Sequence, residues 1–218
     1  MTPISTLFAV PCVSVIHPDP HELNRQLREL FIAREGEGQR YANPNPLVLR
    51  NNALFESNFD LFSWPEPCVQ ELKSYCWQHL QSIIAQLNRY DEITMARLRI
   101  HADCWYHVTR KGGYFTTHNH PMASWSGVYC VASGADVSEP ADSGILSFPN
   151  PNTAASMFND AGNSAMAPPY SFGAMNFKLK PGQLVLFPSW VLHEVKPYLG
   201  PRERITVAFN TWFSLAEK

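Results

Sequence analysis

The sequence predicts a mainly β protein with some helix: a jelly roll formed by the second half of the chain, with helices from the first half packed on one sheet. Three observations carry this. From Ala96 onward the chain breaks into about eight short runs rich in β-branched and aromatic residues, each bounded by turn residues. Before that point, two stretches place apolar residues every three or four positions, the spacing of a helix face. Eighteen prolines among 218 residues favour a loop-rich β protein over a helical bundle.

Composition narrows the possibilities further. Hydrophobic residues make up 45% of the chain and charged residues 17%, enough for a sizeable core. The length suits one domain over 1–218, divided into a helical and loop part (1–95) and a jelly-roll core (96–218). A net charge of -2 gives no basic surplus for nucleic acid. No run approaches the roughly 20 apolar residues of a membrane span, and the N-terminus lacks the basic region of a signal peptide. Five cysteines, an odd number in no zinc-binding pattern, read as reduced thiols of a cytoplasmic protein.

The first helix is expected at Asp19-Pro20-His21-Glu22, with Asp19 as N-cap and Glu22 closing a capping box. Leu23, Leu27, Leu30 and Phe31 form its apolar stripe, and Gly36 and Gly38 end it. Residues 41–65 read as loop with one short strand at 47–49. A longer helix over 65–89 carries Val69, Leu72, Cys76, Leu80, Ile83 and Leu87 on one face, to pack on a sheet. Strands are expected at 97–108, 114–118, 126–131, 145–148, 176–179, 184–187, 191–195 and 205–213. The segment 149–173 is too long for an ordinary loop and reads as a lid or substrate-binding loop, with plain disorder as the alternative.

Three of the eight histidines stand where a metal site needs them. His118 and His120 flank Asn119 at a strand end, so their side chains share a face. His193 comes from a strand much later in the chain. Two ligands from one strand and a third from a distant one cap one side of a metal ion and leave the other open. Imidazole suits Fe, Zn, Cu and Ni alike, so ligand type alone does not choose the metal. His101 and His107 share a strand face and are expected to fill core or rim positions; His17, His21 and His79 belong to the helices.

Beyond His193 the chain turns at Gly200-Pro201 and returns. Arg202, Arg204 and Thr206 have the same parity and share a face if the returning strand is regular. A guanidinium inside a barrel wants a carboxylate.

Together, His118-x-His120, Ser126-Gly127-Val128-Tyr129, Phe187-Pro188-Ser189-Trp190, His193 and the run from Arg204 to Asn210 resemble a family of 2-oxoglutarate/Fe(II) oxygenases of bacteria and phages. The segment from His193 through Pro197 and Arg202 to Val207 is also similar to the oxygen-sensing prolyl hydroxylases. The resemblance spans about Trp105 to Phe213. It implies a double-stranded β-helix with helices on one side, and Fe(II) on His118, His120 and His193. It also implies 2-oxoglutarate as co-substrate, its distal carboxylate on Arg204 or Arg202, with Arg204 slightly favoured. The reaction would convert 2-oxoglutarate to succinate and CO2 and hydroxylate a substrate C–H bond. Two positions depart from the pattern. His120 stands where most such enzymes carry Asp or Glu, and Cys130 where relatives often carry a second Tyr.

Two other readings remain open. A cupin-type three-histidine dioxygenase would share Gly112-x5-His118-x-His120. It lacks the cupin Glu, as Ser124 and Trp125 show, and leaves Arg202 and Arg204 unexplained. A metal-holding jelly roll without catalysis is the second. The expected partner is a small-molecule or peptide substrate, with no nucleic acid and no membrane; the oligomeric state stays open, a homodimer included. Trp105, Trp125 and Trp190 either line a pocket or fill core.

Overall fold

Two antiparallel sheets face each other in the computed structural model, which describes residues 2–51, 53–136 and 138–216. The strands are β1 (Val13–Ile16), β2 (Leu54–Glu56), β3 (Leu98–Thr109), β4 (Phe115–His118), β5 (Trp125–Ala132), β6 (Leu146–Phe148), β7 (Met175–Phe177), β8 (Gln183–Pro188), β9 (His193–Val195) and β10 (Arg204–Leu215). The larger sheet has the order β1-β8-β5-β10-β3-β2, and the smaller β4-β9-β6-β7. From β3 to β10 the chain passes back and forth between the sheets, which is the jelly roll, or double-stranded β-helix, that the sequence predicts. All eight expected strands of the second half are present; β1 and β2 are additional, and both extend the edges of the larger sheet.

Strand alternation divides the larger sheet into two faces. Cys104, Tyr106, Val108, Tyr129, Val131, Leu184, Leu186, Ile205, Val207 and Phe209 point outward into the main core. There they meet α1 (His21–Gly36) and α2 (Pro67–Asn88), whose Leu23, Leu27, Phe31, Val69, Leu72, Cys76 and Leu80 are buried. Buried hydroxyls tie the layers: Tyr129 Oη donates to Asn24 Oδ1 at 2.8 Å, and Tyr106 Oη to the Phe31 carbonyl at 3.3 Å. The inner face belongs to the barrel, where Cys130, Leu146, Phe148, Leu179, Val185, Phe187 and Val191 form a second, smaller core.

Several local expectations are corrected. Pro20, not Asp19, occupies the N-cap of α1, and no side chain caps the helix. Glu22 instead receives bonds from Arg25 and Gln26. The short strand lies at Leu54–Glu56, not 47–49, because Leu54, Phe55 and Glu56 pair with Thr109, Val108 and His107; Leu47 and Leu49 are exposed and follow Pro44 and Pro46, which lack N–H donors. Leu87 is exposed at the end of α2, beyond the buried run that stops at Ile84. A short helix α3 (Glu92–Arg97), capped by Asp91 accepting from the Thr94 N–H at 2.8 Å, precedes β3.

Candidate active site

Strand pairing brings the three histidines together. His118 ends β4 and His193 begins β9, and the two are direct antiparallel partners, so their side chains project from one face. His120 lies just past β4, held by its own N–H on the Ser189 carbonyl at 2.9 Å. One ring nitrogen from each of the three lies within 4.8 Å of the others. The ring centroids are 4.4 Å apart for His118 and His193, and 5.1 Å for each ring against His120.

The tautomers suit a metal. His118 Nδ1 sits 2.7 Å from the Thr116 carbonyl and His193 Nδ1 3.0 Å from the Val191 carbonyl. A carbonyl only accepts, so each Nδ1 carries the proton and each Nε2 keeps its lone pair for a ligand. Burial lowers all three pKa values: His193 to about 3, helped by neighbouring His118, and His120 to about 4, helped by His118 and His107. The rings are therefore neutral near pH 7, as coordination requires. Apolar rings wall them: Phe187 and Phe148 stand 4.9 and 5.9 Å from His193, and Trp105 6.1 Å from His120.

The two arginines part company. β10 starts at Arg204, so Arg202 falls in the preceding turn, where it is exposed and donates to the Ala135 carbonyl at 2.8 Å. The shared face expected of Arg202 and Arg204 is lost because the strand does not extend back to Arg202. Arg204 is 5% exposed and appears in none of the ion pairs among the described residues. Burial pulls its pKa below the ordinary guanidinium range, with Cys130 and Tyr198 acting the other way. Directly across the ladder is Thr109, 1% exposed, whose Oγ1 has no hydrogen-bond partner. A buried cation without a counter-ion, on a strand whose direct partner residue carries an unbonded buried hydroxyl, fits a carboxylate guest.

Between Arg204 and the histidines the same inner face carries His107 and Trp105, opposite Thr206 and Ala208. Trp105 Nε1 donates to His107 Nε2 at 2.9 Å, and Glu56 Oε2 lies 3.1 Å from that nitrogen. Burial works to raise the Glu56 pKa, but His107, Asn43 and Arg50 carry it below its ordinary value. His107 thus fills the core role expected of it, with a carboxylate partner that sequence reading did not find. Ser126, Ser189 and Asn210 belong to the motifs that carry the resemblance, and the structure joins them: the Ser126 hydroxyl reaches Asn210 Oδ1 at 2.7 Å and Ser189 Oγ at 2.8 Å. These bonds tie β5 and β10 to the turn that delivers His193. Of the tryptophans, Trp105 is buried at the site, Trp125 packs partly on the main core, and Trp190 is exposed.

Residues 103–210 match the family model described as "Putative 2OG-Fe(II) oxygenase". The jelly-roll region belongs to the 2OG-Fe(II) oxygenases. A Pseudomonas putida prolyl-4-hydroxylase is similar in structure, with 18% identity, a TM-score of 0.59, and 96% of this chain and 94% of that one covered. A Trichoplax adhaerens prolyl hydroxylase, solved with a hypoxia inducible factor peptide, shares 13% identity at a TM-score of 0.58, with 92% and 83% covered. The epimerase SnoN, solved with Fe3+, alpha ketoglutarate and nogalamycin RO, shares 11% identity at 0.57, with 95% and 82% covered. At these identities the solved structures speak for the fold. No curated protein matches the chain. The chain is a 2-oxoglutarate- and Fe(II)-dependent oxygenase, and no helix among the described residues is long and apolar enough to cross a membrane.

Proposed function

We propose that the chain is a hydroxylase-type oxygenase in which His118, His120 and His193 would hold Fe(II), with the Nε2 atoms of His118 and His193 free to do so, and Arg204 would hold the distal carboxylate of 2-oxoglutarate. The observation that carries this is the buried, ion-pair-free Arg204 on the inner barrel face, the counterpart of the histidine cluster. Fe(II) and 2-oxoglutarate supply the oxidation: dioxygen is reduced as the co-substrate is decarboxylated to succinate and CO2, and one oxygen atom enters a substrate C–H bond.

The residues of the chain bind, orient and exclude water. Arg204 gives paired N–H donors to a carboxylate, and Thr109 adds a hydroxyl donor beside it. That hydroxyl takes the place of the one missing at Cys130, which faces Thr206 across the ladder. The Thr116 and Val191 carbonyls fix two imidazoles in the ligating tautomer. Phe148, Phe187 and Trp105 keep the cluster dry, which strengthens the electrostatic contacts inside it. The cupin-type reading shares the three histidines but gives Arg204 and Thr109 nothing to bind. The edge strands β1 and β2 pair into the larger sheet, which supports one domain over 1–218. Five unpaired cysteines, four of them buried, support a reducing cytoplasmic compartment.

Anaerobic addition of Fe(II) and 2-oxoglutarate is expected to give a weak visible charge-transfer band. Arg204→Ala should abolish it at moderate co-substrate, while Arg202→Ala should leave it. A wild-type protein without the band contradicts the proposal; a band lost only in Arg202→Ala reverses the choice of arginine.

A further inference from the structure

A cavity of about 930 Å³ lies between the segment 5–12 and the loop 149–173. It stands at the histidine end of the barrel, where β6 ends at Phe148 and β9 begins at His193. Phe148, Phe187 and Val191 form its floor, and the first two are the rings packed on His193. The backbone carbonyl of Trp190, on its rim, accepts from Asn119 Nδ2 at 3.3 Å, and Asn119 separates the other two histidines.

The lining has a distinctive charge. Twenty-four residues face the cavity and none is Asp, Glu, Lys, Arg or His, in a chain of which 17% is charged. Aromatic side chains are frequent instead: Tyr170, Phe172, Phe177 and Trp190 join Phe148 and Phe187. The rim leaves large apolar groups uncovered, with Leu7 at 79%, Trp190 at 54% and Met175 at 47% exposure.

We propose that this cavity is the substrate site and that its ligand is an uncharged, ring-bearing small molecule. The volume falls in the range of pockets that enclose a ligand of drug-like size. A charged group entering would shed its water and find no counter-ion, a cost that selects neutral ligands. The aromatic walls offer ring faces for stacking, and neutral groups such as Asn152 and Ser171 can serve hydroxyls or carbonyls. That the bound molecule is oxidised rests on the oxygenase reading above; that it binds does not.

The test uses the full chain and two probes of the same ring skeleton. N-Phenyl-1-naphthylamine is neutral, and 8-anilinonaphthalene-1-sulfonate carries one negative charge. The neutral probe should bind saturably with enhanced fluorescence, and the sulfonate at least about tenfold more weakly. Met175→Glu and Tyr170→Glu, both at exposed rim positions, should weaken the neutral probe by a similar factor with unchanged melting temperature. Ile93→Glu, on α3 and away from the cavity, should not. With Mn(II) in place of Zn(II), the ring protons of the bound probe should relax faster, because the cavity floor packs on His193. No saturable binding, equal affinity for the two probes, or insensitivity to both rim charges would overturn the proposal; equal relaxation does so when a metal-dependent rise in melting temperature, lost in His193→Ala, shows that the ion is bound at the histidines. The outcomes separate from those of the oxygenase reading. Probe binding without the Fe(II)/2-oxoglutarate band defeats that reading alone, and the band without probe binding defeats this one alone.

Discussion

Thr109 shows what a single residue contributes that no sequence pattern reveals. On its own it is one of several threonines near a strand end. Its meaning comes from the register that sets it opposite Arg204 and from the burial that leaves its hydroxyl without a partner. Thr109→Val keeps the shape and removes the donor. A hydrogen bond to a charged acceptor contributes about 1.5–3 kcal/mol, so 2-oxoglutarate should bind roughly tenfold to a hundredfold more weakly. Anaerobic calorimetry or titration of the visible band measures this, and unchanged affinity would remove Thr109 from the cradle. His118, His120 and His193 were legible because the His-x-His spacing, the turn spacing before His193 and the family resemblance all point to them, although His120 lies past the end of β4 and is held by the Ser189 carbonyl. Glu56 was not, since its partner His107 lies 51 residues away and only the β2–β3 register brings them together. His120 keeps its anomaly. No acidic residue joins the three-histidine group among the described residues, so a divalent ion there keeps one more positive charge than on two histidines and a carboxylate.

At the scale of elements, β5 and β10 show how side chains set the spacing of strand and helix layers. Gly127 sits opposite Phe209 in the ladder, and a Cβ on Gly127 would lie 2.2 Å from the Phe209 Cζ. The bare glycine lets the ring lie across β5, where it also packs against Phe62 and Trp77 at 5.7 and 5.4 Å. Gly127→Ala should therefore destabilise the fold by about 1–3 kcal/mol, as overpacked cores do. Combining it with Phe209→Leu should recover part of the loss relative to additivity, measured by urea unfolding. Strict additivity would show that the two positions do not clash. The same elements explain what could be read in advance. The eight jelly-roll strands announce themselves because aromatic and β-branched runs alternate with Gly and Pro turns. β1 and β2 are three or four residues long and gain their structure from pairing with β8 and β3, a tertiary cause that leaves little local trace. The capping box of α1 failed for a similar reason: a candidate cap residue is only a cap if the backbone aims it, and Glu22 found Arg25 instead, while the end of α1 at Gly36 lies where it is expected.

The molecule as a whole is built unevenly around its site. The larger sheet is backed by α1 and α2 and holds the main core, with strands as long as twelve residues. The smaller sheet has four strands of three or four residues, and its β4–β9 pairing is interrupted between Phe115 and His118. Yet β4 and β9 carry His118 and His193, so the weaker layer delivers most of the metal cluster. A metal binding the folded cluster and not the unfolded chain stabilises by RT ln(1 + [M]/Kd), about 2.7 kcal/mol at a hundredfold excess over Kd. For a chain of this size that corresponds to a rise of roughly 5–10 °C in melting temperature. Ni(II), which does not turn over, serves for the measurement, and a chelator should reverse the shift. The gain should not be uniform. Amide exchange should slow most in β4 and β9, whose local opening breaks the cluster, and least in β3 and β10, which open only with the main core. His193→Ala should remove both the thermal shift and the local protection. A shift spread evenly over both sheets would mean that the metal acts elsewhere; no shift at all would mean that the three imidazoles converge without holding an ion.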